Sequence, residues 1–375
     1  MLNRRVIIVG GGLSGLTAAI HLCREGRQVT LVEKQEYPKH KVCGEYVSNE
    51  ILPYLEWLGV HVEELEPVRI EKAVFSTSDG KEIRCDLPLG GIGISRFALD
   101  NLLYQEALLY GCELIRDTVT DVSFGDDIFS VTLSSGQNLN APVVLGAFGK
   151  RSNIDQKLDR EFMKKKSPWL AVKMHYAGTF PENLVSLHNF EGGYCGISKV
   201  ETGAVNVCYL ADFESFKKYR NINEYQVSVL YKNPHLCDFL KDARPLFDQP
   251  LTISQISFEE KSPVEGHILM IGDTAGLIHP LCGNGMAMAI HSAKLASECV
   301  GRFLDSEISR SGLEENYTII WKRHFKKRLK TGRMLASLLR QRSISQLLLR
   351  TLALFPFLLP EIIKMTHGKP IKIAA

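Results

Sequence analysis

Three glycines set between two β-branched runs constrain this chain more than any other feature. RRVIIVGGGLSGLTAAIHLCREGRQVTLVEK (Arg4–Lys34) reads as strand, tight turn, helix and strand. VIIV is a short run of the buried parallel kind. Leu16, Ala19, Ile20 and Cys23 then recur at helical spacing before QVTLV makes a second strand. Gly10, Gly12 and Gly15 form G-x-G-x-x-G across the turn. In this arrangement the first glycine allows the turn, the second lets a pyrophosphate approach, and the third lets the helix pack on the sheet. Leu13 and Ser14 open that helix, whose free N–H groups and positive end suit the pyrophosphate. Glu33 closes the second strand about 20 residues later, where a carboxylate can accept both ribose hydroxyls, and Lys34 follows it. The pattern implies a dinucleotide site, and by itself it serves FAD or NAD.

A second glycine turn decides between them. GDTAGLIHPLCGNGM (Gly272–Met286) follows the apolar run HILMI and leads into the helix-like AMAIHSAKLASECV. Glycine costs backbone order unless something must come close to the main chain. NAD needs no such late motif, whereas the longer FAD needs a second grip along its ribityl chain and ring. Gly272 and Asp273 end the strand, and the Asp273 carboxylate can accept from ribityl hydroxyls. Pro280 stiffens the loop, and Gly283 and Gly285 let the backbone lie against the flavin. The helix opening at Met286 aims its positive end at the ring edge where negative charge collects on reduction.

Further segments resemble the geranylgeranyl-reductase-type flavoproteins, which share the p-hydroxybenzoate hydroxylase fold. YPKHKVCGEYVS (Tyr37–Ser48) is similar to their P-x-x-K-x-C-G-E segment, and ISRFALDNLLYQEA (Ile94–Ala107) to their R-x-x-x-D-x-x-L helix. GAFGKRSNID (Gly146–Asp155) sits where relatives carry G-A-D-G-x-x-S; Phe148 replaces the acid, while Gly149, Arg151 and Ser152 remain. The resemblance spans about residues 5 to 305 with the motifs in order. It implies an α/β (mixed α+β) chain: a Rossmann-like FAD-binding domain interleaved with an antiparallel β-sheet substrate domain, then a C-terminal helical tail. It further implies that Lys41, Cys43, Gly44 and Arg96 line the flavin, with Asp273, Pro280, Gly283 and Gly285 at the ring end.

The expected division is 1–60, 92–160 and 262–310 for the FAD-binding domain, 61–91 and 161–261 for the substrate domain, and 311–375 for the tail. AVFSTSDGKEIRCDLP has two strands around a D-G turn signal, and WLAVKMHYAGTF, NLVSLHNFEGGYCGISKVETGAVNVCYL and PLTISQISFEEKSPVEGHILMIGD read as further strands. Together they are expected to roof the flavin ring. Where prenyl reductases carry Y-x-W-x-F-P, this chain has Tyr194 followed by Cys195, Gly196, Ile197 and Ser198, so the bulky lipid wall is missing. Halogenases of the fold carry G-x-W-x-W-x-I-P, and Trp57, Trp169 and Trp321 do not stand in that pattern. The expected reaction is NAD(P)H-fuelled reduction of a C=C bond in a hydrophobic isoprenoid, quinone or polyketide substrate. The alternatives are FAD-dependent hydroxylation of a lipophilic or aromatic substrate, and non-enzymatic flavin binding or electron transfer. Cys43, Cys282 and His279 are the candidate proton donors near the ring, with His175 a further one; a cysteine there serves equally as a small apolar filler. No metal site is expected.

Nine cysteines without a C-x-x-C pair fit reduced thiols in a cytosol. The first strand starts within five residues, so no signal peptide is expected, and no apolar run is long enough to span a bilayer. The net charge of +3 hides an asymmetry: residues 316–375 carry thirteen Lys/Arg and one Glu, leaving the rest of the chain at −9. The basic tail mixes its charge with Leu and Phe at helical spacing. Two expectations follow, an amphipathic helix on the anionic inner face of a membrane, or an apolar face packed on the acidic body. No nucleic-acid module accompanies the charge.

Overall fold

In a computed structural model, residues 4–340, 351–352, 354–355 and 357–373 are described. The chain opens with β1 (Arg5–Val9), α1 (Leu13–Arg24), β2 (Gln28–Val32) and β3 (Tyr46–Ser48). Next come β4 (Val68–Ser76), β5 (Glu82–Gly93), α2 (Arg96–Leu109) and β6 (Glu113–Ile115), then β7 (Val119–Gly125), β8 (Ile128–Leu133), β9 (Asn138–Ala141) and β10 (Val143–Gly146). They are followed by β11 (Trp169–Ala177), β12 (Leu184–Phe190), β13 (Gly193–Lys199), β14 (Val205–Asp212), β15 (Arg244–Pro245) and β16 (Leu251–Ser254). The last elements are β17 (Val264–Glu265), β18 (Ile268–Met270), α3 (Gly285–Leu304), α4 (Arg310–Arg340) and α5 (Leu358–Thr366).

The first sheet runs β17-β18-β10-β1-β2-β6. Its strands pair in parallel except at the β17–β18 edge. β1 sits at its centre and is buried from Val6 to Val9, which is why VIIV carries no alternation. The β1–α1–β2 unit is therefore as the glycine motif implies. Helix α1 is buried almost throughout because α2 and α3 both pack on it. β7, β8 and β9 form a separate three-stranded meander that the sequence reading did not resolve.

The larger sheet runs β15-β11-β14-β13-β12-β4-β5-β3, with β16 also on β11. It is mixed rather than antiparallel, because β12 pairs β4 in parallel, Val185 opposite Ala73. The chain passes through α2 and the first sheet between those strands, so no hairpin sets their relative direction. By hydrogen bonding, β3, which lies within 1–60, joins the large sheet through β5, while β18, within 262–310, joins the parallel sheet through β10.

Strand β11 shows how the large sheet divides its duties. Leu170, Val172, Met174 and Tyr176 face one core with Tyr225, Leu230 and Leu236. Trp169 and Ala171 face the other way, with Tyr194, Leu210 and Leu277. The second face is the one turned toward the first sheet.

Of the two expectations for the tail, packing on the body holds for α4. Leu313, Tyr317, Trp321, Phe325 and Leu329 recur every four residues and are buried in the main core. Tyr317 Oη donates to Met270 O at 2.6 Å, fixing α4 to the end of β18. Residues 341–350 of the tail lie outside the described residues.

Candidate FAD and substrate site

A cavity of about 1170 Å³ lies between the two sheets. At one end are the loops after β1 and β18. Gly10 adopts φ +105, and a Cβ there would collide with Ala147 O. Gly15 is different: a Cβ would strike Gly10 O, so this glycine lets α1 press against β1 and does not line the cavity. Gly272, at φ +63, does the same for the second turn, since a Cβ would come within 2.5 Å of Ser14 Oγ. Its N–H donates to Ser292 Oγ at 2.8 Å. Gly15 thus does the packing job its place in the motif implies, and Gly272 is packed in the same way behind the wall.

Gly10, Gly12, Leu13, Ser14, Glu33, Lys34, Lys41, Cys43, Gly44 and Arg96 line the cavity, as do Gly149, Asp273, Pro280, Cys282, Gly283, Gly285 and Met286. The Gly146–Asp155 segment is joined directly to the second glycine turn. Gly149 N–H donates to Thr274 Oγ1 at 2.8 Å, and Lys261 Nζ donates to Asp273 O at 2.8 Å and Lys150 O at 3.1 Å. Burial lowers the Lys261 ammonium to about 8. Glu33 accepts from Gly11 N–H at 2.8 Å, Gln35 N–H at 3.0 Å and Lys39 Nζ at 3.0 Å. Burial raises this carboxyl, but Lys39 and the Gly11 N–H outweigh it and hold it below the usual range.

Opposite, Asp100 is fully buried between Arg96 and Lys41. Arg96 donates through Nε at 2.7 Å and Nη2 at 2.8 Å, and Lys41 Nζ lies 2.8 Å away. Burial opposes the charge on Asp100, yet the two cations keep its carboxyl below the ordinary range, while burial lowers Lys41. The fork fixes the Arg96 guanidinium beside the cavity.

One cluster escaped the sequence reading. Glu45, at φ +54, is fully buried and accepts from Lys173 Nζ, from Arg96 N–H at 2.8 Å and from His175 Nε2 at 2.6 Å. Burial raises the Glu45 carboxyl, but His175 and Lys173 bring it below its usual range. Lys173 is itself fully buried. The available signal was alternation: in WLAVKMHYA the Lys and His stand two apart in an otherwise apolar strand, so both point to one face. The ligand atoms of His40, Glu45 and His175 lie within 4.8 Å of one another. With the Lys173 ammonium already on Glu45, the trio reads as an ion-pair network that repels a second cation.

The candidate proton donors separate. Cys43 and Cys282 line the cavity; Asn206 Nδ2 donates to Cys43 O at 3.2 Å. Burial pushes the Cys282 thiol up to about 12, and that of the neighbouring wall residue Cys208 likewise to about 12. His279 is not on the cavity wall, although Ile278 and Pro280 on either side of it are. Its Nδ1 accepts from Leu281 N–H at 3.4 Å, and its ring nests among Trp169, Phe258 and Tyr194 at centroid distances of 6.0, 4.7 and 5.7 Å. His175 is likewise committed to Glu45.

These residues fit FAD. An added Cβ on Gly12, Gly44 or Gly149 would have no protein atom within 4 Å and would project into the cavity. The starts of α1 and α3 both open on that space, with no side-chain cap and no acid in the first turn. Two positive helix ends converging on one cavity suit a pyrophosphate and an electron-rich ring. Beyond them the wall becomes apolar: Ala73, Phe75, Leu187, Gly196 and Ile253 from the large sheet, and Leu352, Leu359 and Ile363 from the tail.

Known proteins share this layout. The chain is 23% identical over 314 residues to a menaquinone reductase of Mycobacterium tuberculosis, covering 78% of this chain and 75% of that one. It is 25% identical over 369 residues to digeranylgeranylglycerophospholipid reductase 2 of Methanosphaera stadtmanae, covering 90% and 89%. Mouse squalene monooxygenase is 26% identical over 314 residues, 77% of this chain but 53% of the enzyme. Among solved structures, a flavoprotein/dehydrogenase from Cytophaga hutchinsonii superposes with a TM-score of 0.76 at 18% identity, over 90% and 86% of the chains. The flavin-dependent brominase Bmp2 gives 0.79 at 17%, over 96% and 92%. At such identities the structures share the fold, and likeness to the geranylgeranyl-type reductases is no nearer than to other branches. The FAD binding domain model matches residues 3–318, and the chain belongs to that family of FAD-dependent oxidoreductases and monooxygenases.

Proposed function

We propose that the chain reduces carbon–carbon double bonds in a hydrophobic substrate of isoprenoid, quinone or polyketide type, with NAD(P)H as electron donor. The observation that carries this reading is the apolar half of the cavity. Small residues on the large sheet (Ala73, Gly196, Cys208) leave room, and aliphatic side chains from the sheet and tail form the sides. Such a wall desolvates a long apolar ligand favourably and offers a charged one nothing. Two relatives matched over three quarters or more of both chains are named as reductases of such compounds.

FAD, when bound, supplies hydride transfer. The chain's part is binding and proton delivery. Glu33 and the α1 N-terminus hold the nucleotide half, Asp273 and the Gly283–Gly285 turn hold the ring half, and the Arg96–Asp100–Lys41 fork orients the wall between them. Cys282, its thiol held protonated, is a proton donor to a substrate carbon rather than a nucleophile, and Cys43 is its partner on the facing loop.

A second reading, hydroxylation of a similarly lipophilic substrate, is favoured by the likeness to squalene monooxygenase. One experiment separates them: the yellow protein is mixed with NADPH with and without air, and flavin reoxidation is followed. Reoxidation by a quinone or enone without oxygen, slowed at least about 10-fold in Cys282→Ala, supports the reductase. Rapid oxygen-dependent reoxidation that incorporates oxygen into the substrate supports the hydroxylase and sinks the reductase.

A further inference from the structure

We propose that the outer face of α4 and the apolar knuckle formed by Leu354, Phe355 and Phe357 dock on an anionic lipid surface, placing the apolar half of the cavity next to a bilayer. The inference rests on the reading of that cavity as the seat of a hydrophobic substrate.

Two observations on different elements meet here. Along α4, Lys322, Lys326, Lys330 and Met334 are exposed and recur every four residues, so they form one outward ridge, flanked by exposed Arg323 and Lys327. Between Asn316 and Pro360 there are ten Lys/Arg and no Asp or Glu. Arg328 and Arg333 of α4 are spent on the body, against Glu50 at 3.1 Å and Glu260 at 2.7 Å. Lys322, Lys326, Lys327 and Lys330 have no ion-pair partner among the described residues. The ridge thus presents uncompensated positive charge over about 18 Å, from Lys322 to Met334.

The second observation is the knuckle. Leu354 is 76% exposed, Phe357 66% and Phe355 48%, a concentration of large apolar side chains in water. The same segment also faces inward. Leu352 and Leu359, on either side, are buried and line the cavity, as does Ile363 one turn further on. Leu335, the neighbour of Met334 on α4, lines it too. The C-terminal end of the ridge and the segment carrying the knuckle thus both adjoin the wall of the chamber that takes the substrate.

Anionic lipid is the occupant that uses both features. Headgroup charge is attracted by the lysine ridge, and the interfacial hydrocarbon takes up the knuckle. A nucleic acid would use the ridge and leave the knuckle in water. The mode is peripheral, because no helix among the described residues is long and apolar enough to cross a membrane. It also differs from a whole amphipathic helix lying on the bilayer, since the apolar face of α4 is already occupied by the core.

The test is co-flotation of the full-length, FAD-loaded protein with vesicles of phosphatidylcholine, with and without phosphatidylglycerol, at low and high salt. Binding is expected only to the phosphatidylglycerol vesicles and is released by salt. The triple variant Lys322→Gln, Lys326→Gln, Lys330→Gln is expected to lose about 100-fold in partitioning, at roughly 5-fold per lysine. Leu354→Ser with Phe357→Ser is expected to lose at least about 10-fold while keeping the salt dependence. Both variants should retain flavin absorbance and turnover of a short-chain quinone in solution. Wild-type protein that turns over the short-chain quinone but ignores the vesicles overturns the docking and leaves the site reading standing. Vesicle binding without turnover of any quinone or enone overturns the site reading and leaves the docking standing. Binding to single-stranded RNA that needs the lysines but not the knuckle, without vesicle binding, overturns the lipid assignment.

Discussion

At the scale of single residues, glycines of one motif do separate jobs. Gly12 faces open cavity, whereas Gly15 is wedged against the β1 backbone. Gly12→Val should leave the melting temperature of the FAD-free protein nearly unchanged and weaken FAD at least about 10-fold, by filling the path of the pyrophosphate. Gly15→Ala should instead destabilise the fold by about 1–3 kcal/mol, because the collision is with backbone that cannot move aside. Paired denaturation and flavin titration distinguish the two. The Glu45 cluster makes an equally sharp case. Lys173→Met leaves a buried carboxylate without its main cation and should cost about 3–5 kcal/mol. Adding Glu45→Gln should recover part of that loss, because the stranded charge disappears. A double variant no more stable than Lys173→Met alone would count against the ion pair as the cause.

At the scale of elements, α4 is more than a tail. It lies across the loop that follows β18: a Cβ on Gly276 would come within 3.0 Å of Leu329 and Trp321, and one on Gly332 within 3.1 Å of Cys282 Sγ. Glu50 adds a latch, accepting from Arg328, from Asn284 Nδ2 at 3.4 Å and from Gly368 N–H. Helix, flavin loop and C-terminal strap are thereby coupled. Trp321→Ala should lower stability by about 3–5 kcal/mol and weaken FAD as well, although Trp321 lies outside the main cavity wall. Flavin release measured together with thermal unfolding tests this. Unchanged flavin affinity in a clearly destabilised variant would uncouple α4 from the loop.

At the scale of the whole molecule, buried histidines set the response to acid. Burial pulls His188 and His291 down to about 3 from an ordinary value of 6.5. Between those values the unfolded chain binds protons that the folded chain refuses, so stability rises with pH through this window and is lost on acidification. Each histidine contributes up to about 1.4 kcal/mol per pH unit. Above about pH 5 the carboxylates are ionised in both states, so pH 5 to 6.5 isolates the histidines. Urea midpoints should fall from pH 6.5 to 5, and His188→Gln should flatten the fall. A flat wild-type profile would refute this.

The strand–turn–helix–strand unit, the second glycine turn and most of the wall were legible in the sequence, because glycine spacing and apolar periodicity are local and each constrains its own backbone. Lys41, Cys43, Gly44 and Arg96 were legible as a motif, though only the fold shows Asp100 binding two of them together. What the tertiary structure alone decided is what happens between segments far apart in the chain. Glu45 meets Lys173 across 128 residues, His279 turns into an aromatic nest instead of the cavity, and β12 lies parallel to β4. Gly272 packs on Ser14 of the first glycine turn. Alternation in β11 marks Lys173 and His175 as one polar face, but none of these pairings is fixed locally, since each depends on which surface arrives opposite once the two sheets close on one cavity.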